Sequence, residues 1–187
     1  MNLINWVDII LICVLVRGMF VAQKSGLVNE LLKFFGVFFA AIISCHYYVR
    51  FGTFLTKKLM IKEPISETAA FCFISIIIIV IFYLICEAWL LILKIEAKSG
   101  INEWGSQVFS LLKGSLLNGL IVVALIIPGH KFISESAKYS MTGPFFKNAA
   151  VAVYRVFYKG FLGQFFPDEP LNNKLLRMAD KPRPKEE

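Results

Sequence analysis

Four charged side chains lie within or beside long apolar segments, and these positions are the natural places to look for chemistry. They are Asp8, Arg17, Glu30 and Glu87. A charge inside the hydrocarbon of a membrane is costly, so such residues are usually paired or functional. Asp8 and Arg17 are nine positions apart on one predicted helix, which places them on different faces and near opposite ends. A direct pair between them is therefore excluded.

Each of these residues has a structural and a functional interpretation. Asp8 either meets a basic group on another helix or stays at the level of the lipid headgroups. Arg17 and Glu30 flank the first predicted hairpin, where they either clamp it as an ion pair or bind a ligand, and Lys24 between them is expected to face headgroup phosphates. Glu87 lies deepest. In the functional interpretation it binds a substrate or an ion; in the structural one it snorkels to the headgroups or bonds to a neighbouring helix.

The motifs of common enzymes and metal sites are missing from the sequence. His46 and His130 are the only histidines, and neither belongs to a His-Glu-x-x-His motif. No Gly-x-Ser-x-Gly element and no glycine-rich phosphate loop occurs. The cysteines lie in apolar segments without close metal-ligand spacing, at Cys13, Cys45, Cys72 and Cys86. We therefore predict no enzyme, no metal and no cofactor.

The class of protein is indicated by the longest apolar stretch, residues 69–93. It contains 25 residues with Glu87 as the only charge and has no Gly or Pro. At a rise of roughly 1.5 Å per residue, a helix of this length crosses the ~30 Å hydrocarbon core. Buried strands are the alternative, but strands usually end after about 4 to 8 residues. The chain is 57% hydrophobic and 18% charged, whereas soluble domains carry about 25% charge.

These patterns predict an all-α integral membrane protein with four transmembrane helices. The bundle covers residues 1–130, and its predicted spans are 3–22, 31–49, 69–93 and 108–127. Ser106, Ser110, Gly114 and Asn118 recur every four residues along the fourth span. Helices in a membrane associate through close packing at such small residues. This face is expected to contact another helix, and we predict oligomers that depend on it.

A fifth apolar segment, residues 144–166, has Arg155 and Lys159 opposite its apolar side. A fifth span would place both charges in mid-membrane, at roughly 2.5 to 3.5 kcal/mol each. An amphipathic helix on the membrane interface costs far less and is favoured. Residues 167–187 are expected to form a solvated, disordered tail.

The net charge of +7 indicates anionic lipid headgroups as partners rather than nucleic acid, because the basic residues bracket apolar runs and form no single patch. Six Lys and Arg lie near one set of span ends and seven near the other, so this comparison leaves the orientation open. Seven further basic residues toward the C-terminal end favour cytoplasmic termini.

Several short motifs of the chain resemble the bacterial colicin V production protein (CvpA) family. They are Asn5-Trp6-Val7-Asp8, Arg17-Gly18, Lys24-Ser25-Gly26, Glu30-Leu31 and the small-residue repeat over 106–119 with Lys113-Gly114. Two features differ: Asn102-Glu103 stands where the family has Asp-Arg, and serines stand at 106 and 110 where it has glycines. Some relatives are similar to this bundle with an outer-face protease attached after helix four, which implies termini outside the cytoplasm.

The resemblance implies a multi-pass protein of the bacterial inner membrane, associated with colicin V toxin production and with the cell envelope. Our first hypothesis is a membrane scaffold or assembly factor that acts through helix packing with a second copy or a membrane partner. The alternative is a small transporter or channel subunit, in which Asp8, Arg17 and Glu87 line a path assembled from several copies.

Overall fold

The structure, a computed structural model, describes residues 5–93, 100–129, 131–165 and 171–179. Within these ranges every regular element is a helix, and none is a strand. The first four helices are α1 (Trp6–Ala22), α2 (Leu27–Leu59), α3 (Glu63–Leu93) and α4 (Gly100–Ile126). They are followed by α5 (Lys131–Tyr139), α6 (Gly143–Phe157), a π-helical turn (Tyr158–Leu162), α7 (Gly163–Phe165) and α8 (Asn173–Ala179).

Three helices in the described part of the chain are long and apolar enough to cross a membrane. They cover Leu27–Leu59, Glu63–Trp89 and Asn102–Ile126. The described residues thus supply three candidate spans of a multi-pass membrane protein, where four were predicted. The remaining predicted span, 3–22, is represented by α1, which has 17 residues. At about 1.5 Å per residue α1 is roughly 25 Å long, at the short end of the range for spanning helices, so the fourth span stays a prediction.

The second and third spans extend beyond their predicted ends, because the polar segment between them is largely helical. α2 continues to Leu59 and α3 already begins at Glu63. Gly52 allows this hairpin to close, since a Cβ there would lie 2.8 Å from Glu67 Cα. The Ser66 hydroxyl donates to the Gly52 carbonyl oxygen at 2.6 Å.

The core of the bundle lies between α2, α3, α4 and α6. α2 packs along α3 and α4, and α4 packs against α1 and α6. Small and aromatic side chains fill this core, among them Ala40, Ala41, Tyr48, Phe71, Leu120 and Tyr154. The His46 ring and the Tyr154 hydroxyl share a hydrogen bond of 3.0 Å between α2 and α6.

The segment predicted as an interfacial helix, 144–166, is a helix whose inner side belongs to the bundle. α6 buries Phe146, Ala150, Val151 and Tyr154 against α2 and α4, so much of the apolar side that was expected to contact lipid contacts protein. Its placement on the membrane interface stays a prediction, and residue 166 lies outside the described residues.

The prediction of a disordered tail is wrong for residues 171–179. α8 places Leu175, 2% exposed, in the core. Lys174 Nζ lies 2.5 Å from Glu67 Oε1 on α3. The side-chain amide of Asn172 donates to the Cys45 carbonyl oxygen at 2.8 Å. Two adjacent leucines within a polar sequence, Leu175 and Leu176, add apolar contacts to these polar ones. Residues 167–170 and 180–187 of the predicted tail lie outside the described residues.

Gly119 marks the closest approach of α4 to α6, and Gly119→Ala is expected to destabilise the protein. A Cβ at this position would lie 2.6 Å from Ala150 Cβ and would also overlap the Phe146 carbonyl oxygen. We expect a loss of about 1 to 3 kcal/mol, although alanine is the better helix former. Thermal unfolding in detergent micelles measures the effect.

Gly160→Ala is the matched control, because nothing lies within 4 Å of a Cβ built there. Its unfolding temperature is expected to stay level or to rise slightly. Equal shifts for the two variants would contradict a close contact between α4 and α6.

Candidate functional site

A cleft of about 550 Å³ opens between α1, α2, α3 and α4. Three cationic side chains line it: Arg17 on α1, Lys33 on α2 and Lys113 on α4. The rest of the wall is Gly18 together with apolar and aromatic side chains, namely Val14, Val21, Val37, Ile79, Phe82, Tyr83 and Leu117. The cleft thus combines a positive charge cluster with a hydrocarbon-like wall.

The start of α4 holds the hairpin between α1 and α2 at one end of the bundle. The Ser106 hydroxyl donates to the Ala22 carbonyl oxygen at 3.2 Å, and the Leu27 amide donates to the Asn102 side-chain oxygen at 2.6 Å. The first contact fixes the end of α1, and the second satisfies an amide at the start of α2 that has no partner within its own helix.

The three cations lie at a common depth below these contacts. Arg17 lies five residues before Ala22, Lys33 six after Leu27, and Lys113 seven after Ser106. At about 1.5 Å per residue, each Cα is roughly 7 to 11 Å along its helix from the anchored end. The packing of the helix ends therefore brings charges from three distant parts of the sequence to one level.

Glu30 is fully buried and forms an ion pair with Lys113. The Glu30 side chain is 0% exposed and that of Lys113 is 15% exposed, and Glu30 Oε2 accepts from Lys113 Nζ. Glu30 Oε1 has no hydrogen-bond partner among the described residues. The predicted clamp between Arg17 and Glu30 is therefore wrong, because α4 supplies the cation that α1 was expected to supply.

The charges around the cleft do not balance. Lys33 Nζ lies 5.2 Å from the centre of the Tyr83 ring, a cation–π contact. Among the described residues, no carboxylate lies within 4.0 Å of Arg17 or Lys33. Since Glu30 offsets only Lys113, two cations face the cleft without a counter-charge from the described part of the chain.

Asp8 lies in a second polar cluster, toward the other end of α1. Its carboxylate, 5% exposed, accepts from the Ser140 hydroxyl at 2.6 Å and from the Met141 amide at 3.2 Å. It also accepts from the amide and the hydroxyl of Thr142, at 2.9 and 2.7 Å. The predicted basic partner of Asp8 is wrong for the described residues, whereas its placement at the headgroup level stays a prediction. The carboxylate meets the start of α6, where helix amides and the helix dipole favour an anion.

The small-residue face of α4 packs against α1 of the same chain. Its four residues are Ser106, Ser110, Gly114 and Asn118. A Cβ on Gly114 would lie 2.8 Å from a Leu15 methyl carbon. The side-chain amide of Asn118 donates to the Leu11 carbonyl oxygen at 2.9 Å. The expectation that this face joins two copies is wrong, because α1 already covers it.

The other predicted residues lie apart from the cleft. Glu87 is exposed on the outer side of α3, and Lys24 is exposed in the first hairpin. Gly26 caps the start of α2 and lies beside Asn102. The structure therefore does not bring Asp8, Arg17 and Glu87 of one chain together. In the described ranges no group of three or more His, Cys, Asp and Glu side chains is placed to hold a metal.

The model of the family described as colicin V production protein matches residues 7–151. This match covers more than three quarters of the chain, and it includes α1 to α5, the cleft and Asp8. The chain belongs to the colicin V production protein family. Neither the curated proteins nor the solved structures contain a match to it. All residues that line the cleft of this colicin V production family member lie within the matched range.

Proposed function

We propose that this colicin V production family protein resides in the bacterial inner membrane and acts as a scaffold or assembly factor. Its role would lie in toxin production and export or in maintaining the cell envelope. The family match supports the biological setting. One structural observation supports the mode of action: the outer surface of α3 is a long apolar face that the described part of the chain leaves open.

α3 is the least covered of the three candidate spans. In the most apolar 18-residue stretch of α3, 22% is buried inside the protein, compared with 44% in the corresponding stretch of α4. It packs mainly against α2, and its outward side carries a row of exposed residues: Phe73, Ile76, Ile77, Val80, Ile81, Leu84 and Ile85. Lipid can cover such a face, but lipid needs no specific side-chain shape. A scaffold requires a face of this kind on which a second membrane helix can pack.

Glu87 gives this outer surface a polar anchor. It is exposed near the end of the candidate span Glu63–Trp89. A carboxylate at this position can snorkel to the headgroups, or it can accept hydrogen bonds from a partner helix. A partner on α3 would therefore contact both the apolar row and Glu87.

Site-specific photocrosslinking in native membranes tests this proposal. A photoreactive residue at Ile77 or Ile81 is expected to give a discrete protein adduct, whereas the same residue at Ile9 or Ile12, exposed on α1, is expected to give none. Cells lacking the protein should release less colicin V or become more sensitive to detergent, and the crosslinkable variants should restore the lost property. Lipid adducts alone at both α3 positions, in cells with restored function, would refute a scaffold that works through α3.

The second candidate function is a small transporter or channel subunit, and the cationic cleft is the observation that favours it. Arg17, one of the three residues first expected to line a path, lies in this cleft. Anion flux into proteoliposomes that falls in Arg17→Gln would favour transport. Flux equal to that of protein-free liposomes would remove this candidate and leave the scaffold.

A further inference from the structure

We infer that the cleft between α1, α2, α3 and α4 is a binding site for a membrane lipid that carries a phosphate group. Arg17 and Lys33 bind the phosphate, and the hydrocarbon chain lies along the apolar wall. This inference concerns a ligand of the protein and stands whether the protein is a scaffold or a transporter.

The charge that the cleft leaves unbalanced favours an anionic ligand. Glu30 neutralises Lys113 from behind and does not line the cleft. The net charge offered to a ligand is therefore that of Arg17 and Lys33. In surroundings of low polarity such a pair of cations attracts an anion strongly. A phosphate matches this pair, because its oxygens can accept a forked contact from a guanidinium and a further contact from an ammonium group.

The depth of the two cations favours a lipid over a soluble anion. Each lies roughly 7 to 11 Å along its helix from the hairpin end of the bundle. The headgroup layer on one side of a bilayer is about 5 to 8 Å thick, since headgroups extend the ~30 Å core to ~40–45 Å. With the hairpin at the water surface, Arg17 and Lys33 lie near the level where lipid phosphates join the hydrocarbon. A soluble anion would have to leave water to reach this level.

The shape and lining of the cavity fit a lipid. Its volume of about 550 Å³ lies within the usual range of small-molecule sites, about 300 to 1,000 Å³. An adjoining groove on the outer face of α1 shares Arg17 and Val21 with the cleft and continues along Ile12, Val16 and Phe20. Gln23 and Lys24 lie at the hairpin end of this groove, so a lipid chain can leave the cleft along its apolar part on α1.

Lipid retention by native mass spectrometry tests the inference. The detergent-purified full-length protein is delipidated and incubated with dioleoyl phosphatidic acid, with dioleoylglycerol, or with inorganic phosphate. We expect one saturable phosphatidic acid adduct, weakened about tenfold in Arg17→Gln and in Lys33→Gln, because each variant loses one charge-assisted contact. Dioleoylglycerol should bind weakly, and millimolar inorganic phosphate should not displace the lipid.

Lys57→Gln is the matched control, since it removes an exposed cation from the opposite end of α2 and should leave the adduct unchanged. The Gln variants should fold, because neither Arg17 nor Lys33 holds a carboxylate of the described chain, and their unfolding temperatures verify this. Equal retention by the Arg17→Gln/Lys33→Gln double variant and the original protein would overturn the inference. Dioleoylglycerol that binds as tightly as phosphatidic acid would also overturn it. So would displacement of the phosphatidic acid by inorganic phosphate, if that displacement requires Arg17.

Discussion

Lys113→Met is expected to lower the free energy of unfolding by about 3 to 5 kcal/mol, the usual cost of leaving one partner of a buried ion pair alone. Methionine retains most of the length of the lysine stem, so the packing of α4 changes little. The carboxylate of Glu30, however, loses the cation that offsets its charge while remaining fully buried. Unfolding in detergent micelles, followed by tryptophan fluorescence, measures the loss.

Two further variants separate this charge effect from a packing effect. In Lys113→Met/Glu30→Gln no buried charge remains, so most of the lost stability should return. Lys57→Met removes an exposed cation and should change stability by no more than about 0.5 kcal/mol. A double variant as unstable as Lys113→Met would show that the lysine stem, and not its charge, stabilises the bundle.

Asp8→Ala is expected to cost at least about 3 kcal/mol, because it leaves several donors at the start of α6 without an acceptor, at about 1 to 3 kcal/mol for each buried group. Ser140 and Thr142 both donate to this carboxylate. The connection between α5 and α6 should then separate from α1. We expect a lower unfolding temperature and new proteolytic cleavage near Met141.

Glu135→Ala is the appropriate comparison for this prediction, since Glu135 is an exposed acidic residue on the neighbouring α5. It should leave both readouts unchanged. The effect of Asp8→Asn on both readouts should lie between the effects of Asp8→Ala and Glu135→Ala. The asparagine amide keeps one acceptor oxygen, but its NH2 group faces the donors at the start of α6. Cleavage near Met141 that is the same in all three variants would show that Asp8 does not hold this connection.

The long apolar helices could be predicted from the sequence, whereas their polar partners could not. The apolar runs that form α2, α3 and α4 are too long and too free of breaks for strands. Their local composition was therefore sufficient to predict helices. The ion-pair partner of Glu30 depended on how α2 packs against α4, because Glu30 and Lys113 are 83 positions apart in the chain. Arg17 and Lys113 are both basic and both near the same helix ends, so only the three-dimensional arrangement distinguishes them.

The candidate cleft was missed for the same reason. Lys33 and Lys113 each resemble an ordinary snorkelling lysine when considered within its own helix. One signal was present: both lie a few residues inside ends that the up-and-down order of the helices brings together. Docking of α8 was missed because residues 167–187 are polar as a whole, and the two leucines that bind this helix to the core are a small part of them.

The contacts that hold α1 have a consequence for biosynthesis. Its carbonyls and carboxylate are satisfied by Ser106, Asn118, Ser140 and Thr142, which are 84 to 134 positions further along the chain. α1 therefore leaves the ribosome well before the segments that become its permanent neighbours. Until α4 and the start of α6 have been translated, α1 remains in the insertion machinery or in lipid with its aspartate unsatisfied, and an interrupted nascent chain is left in that incompletely packed state.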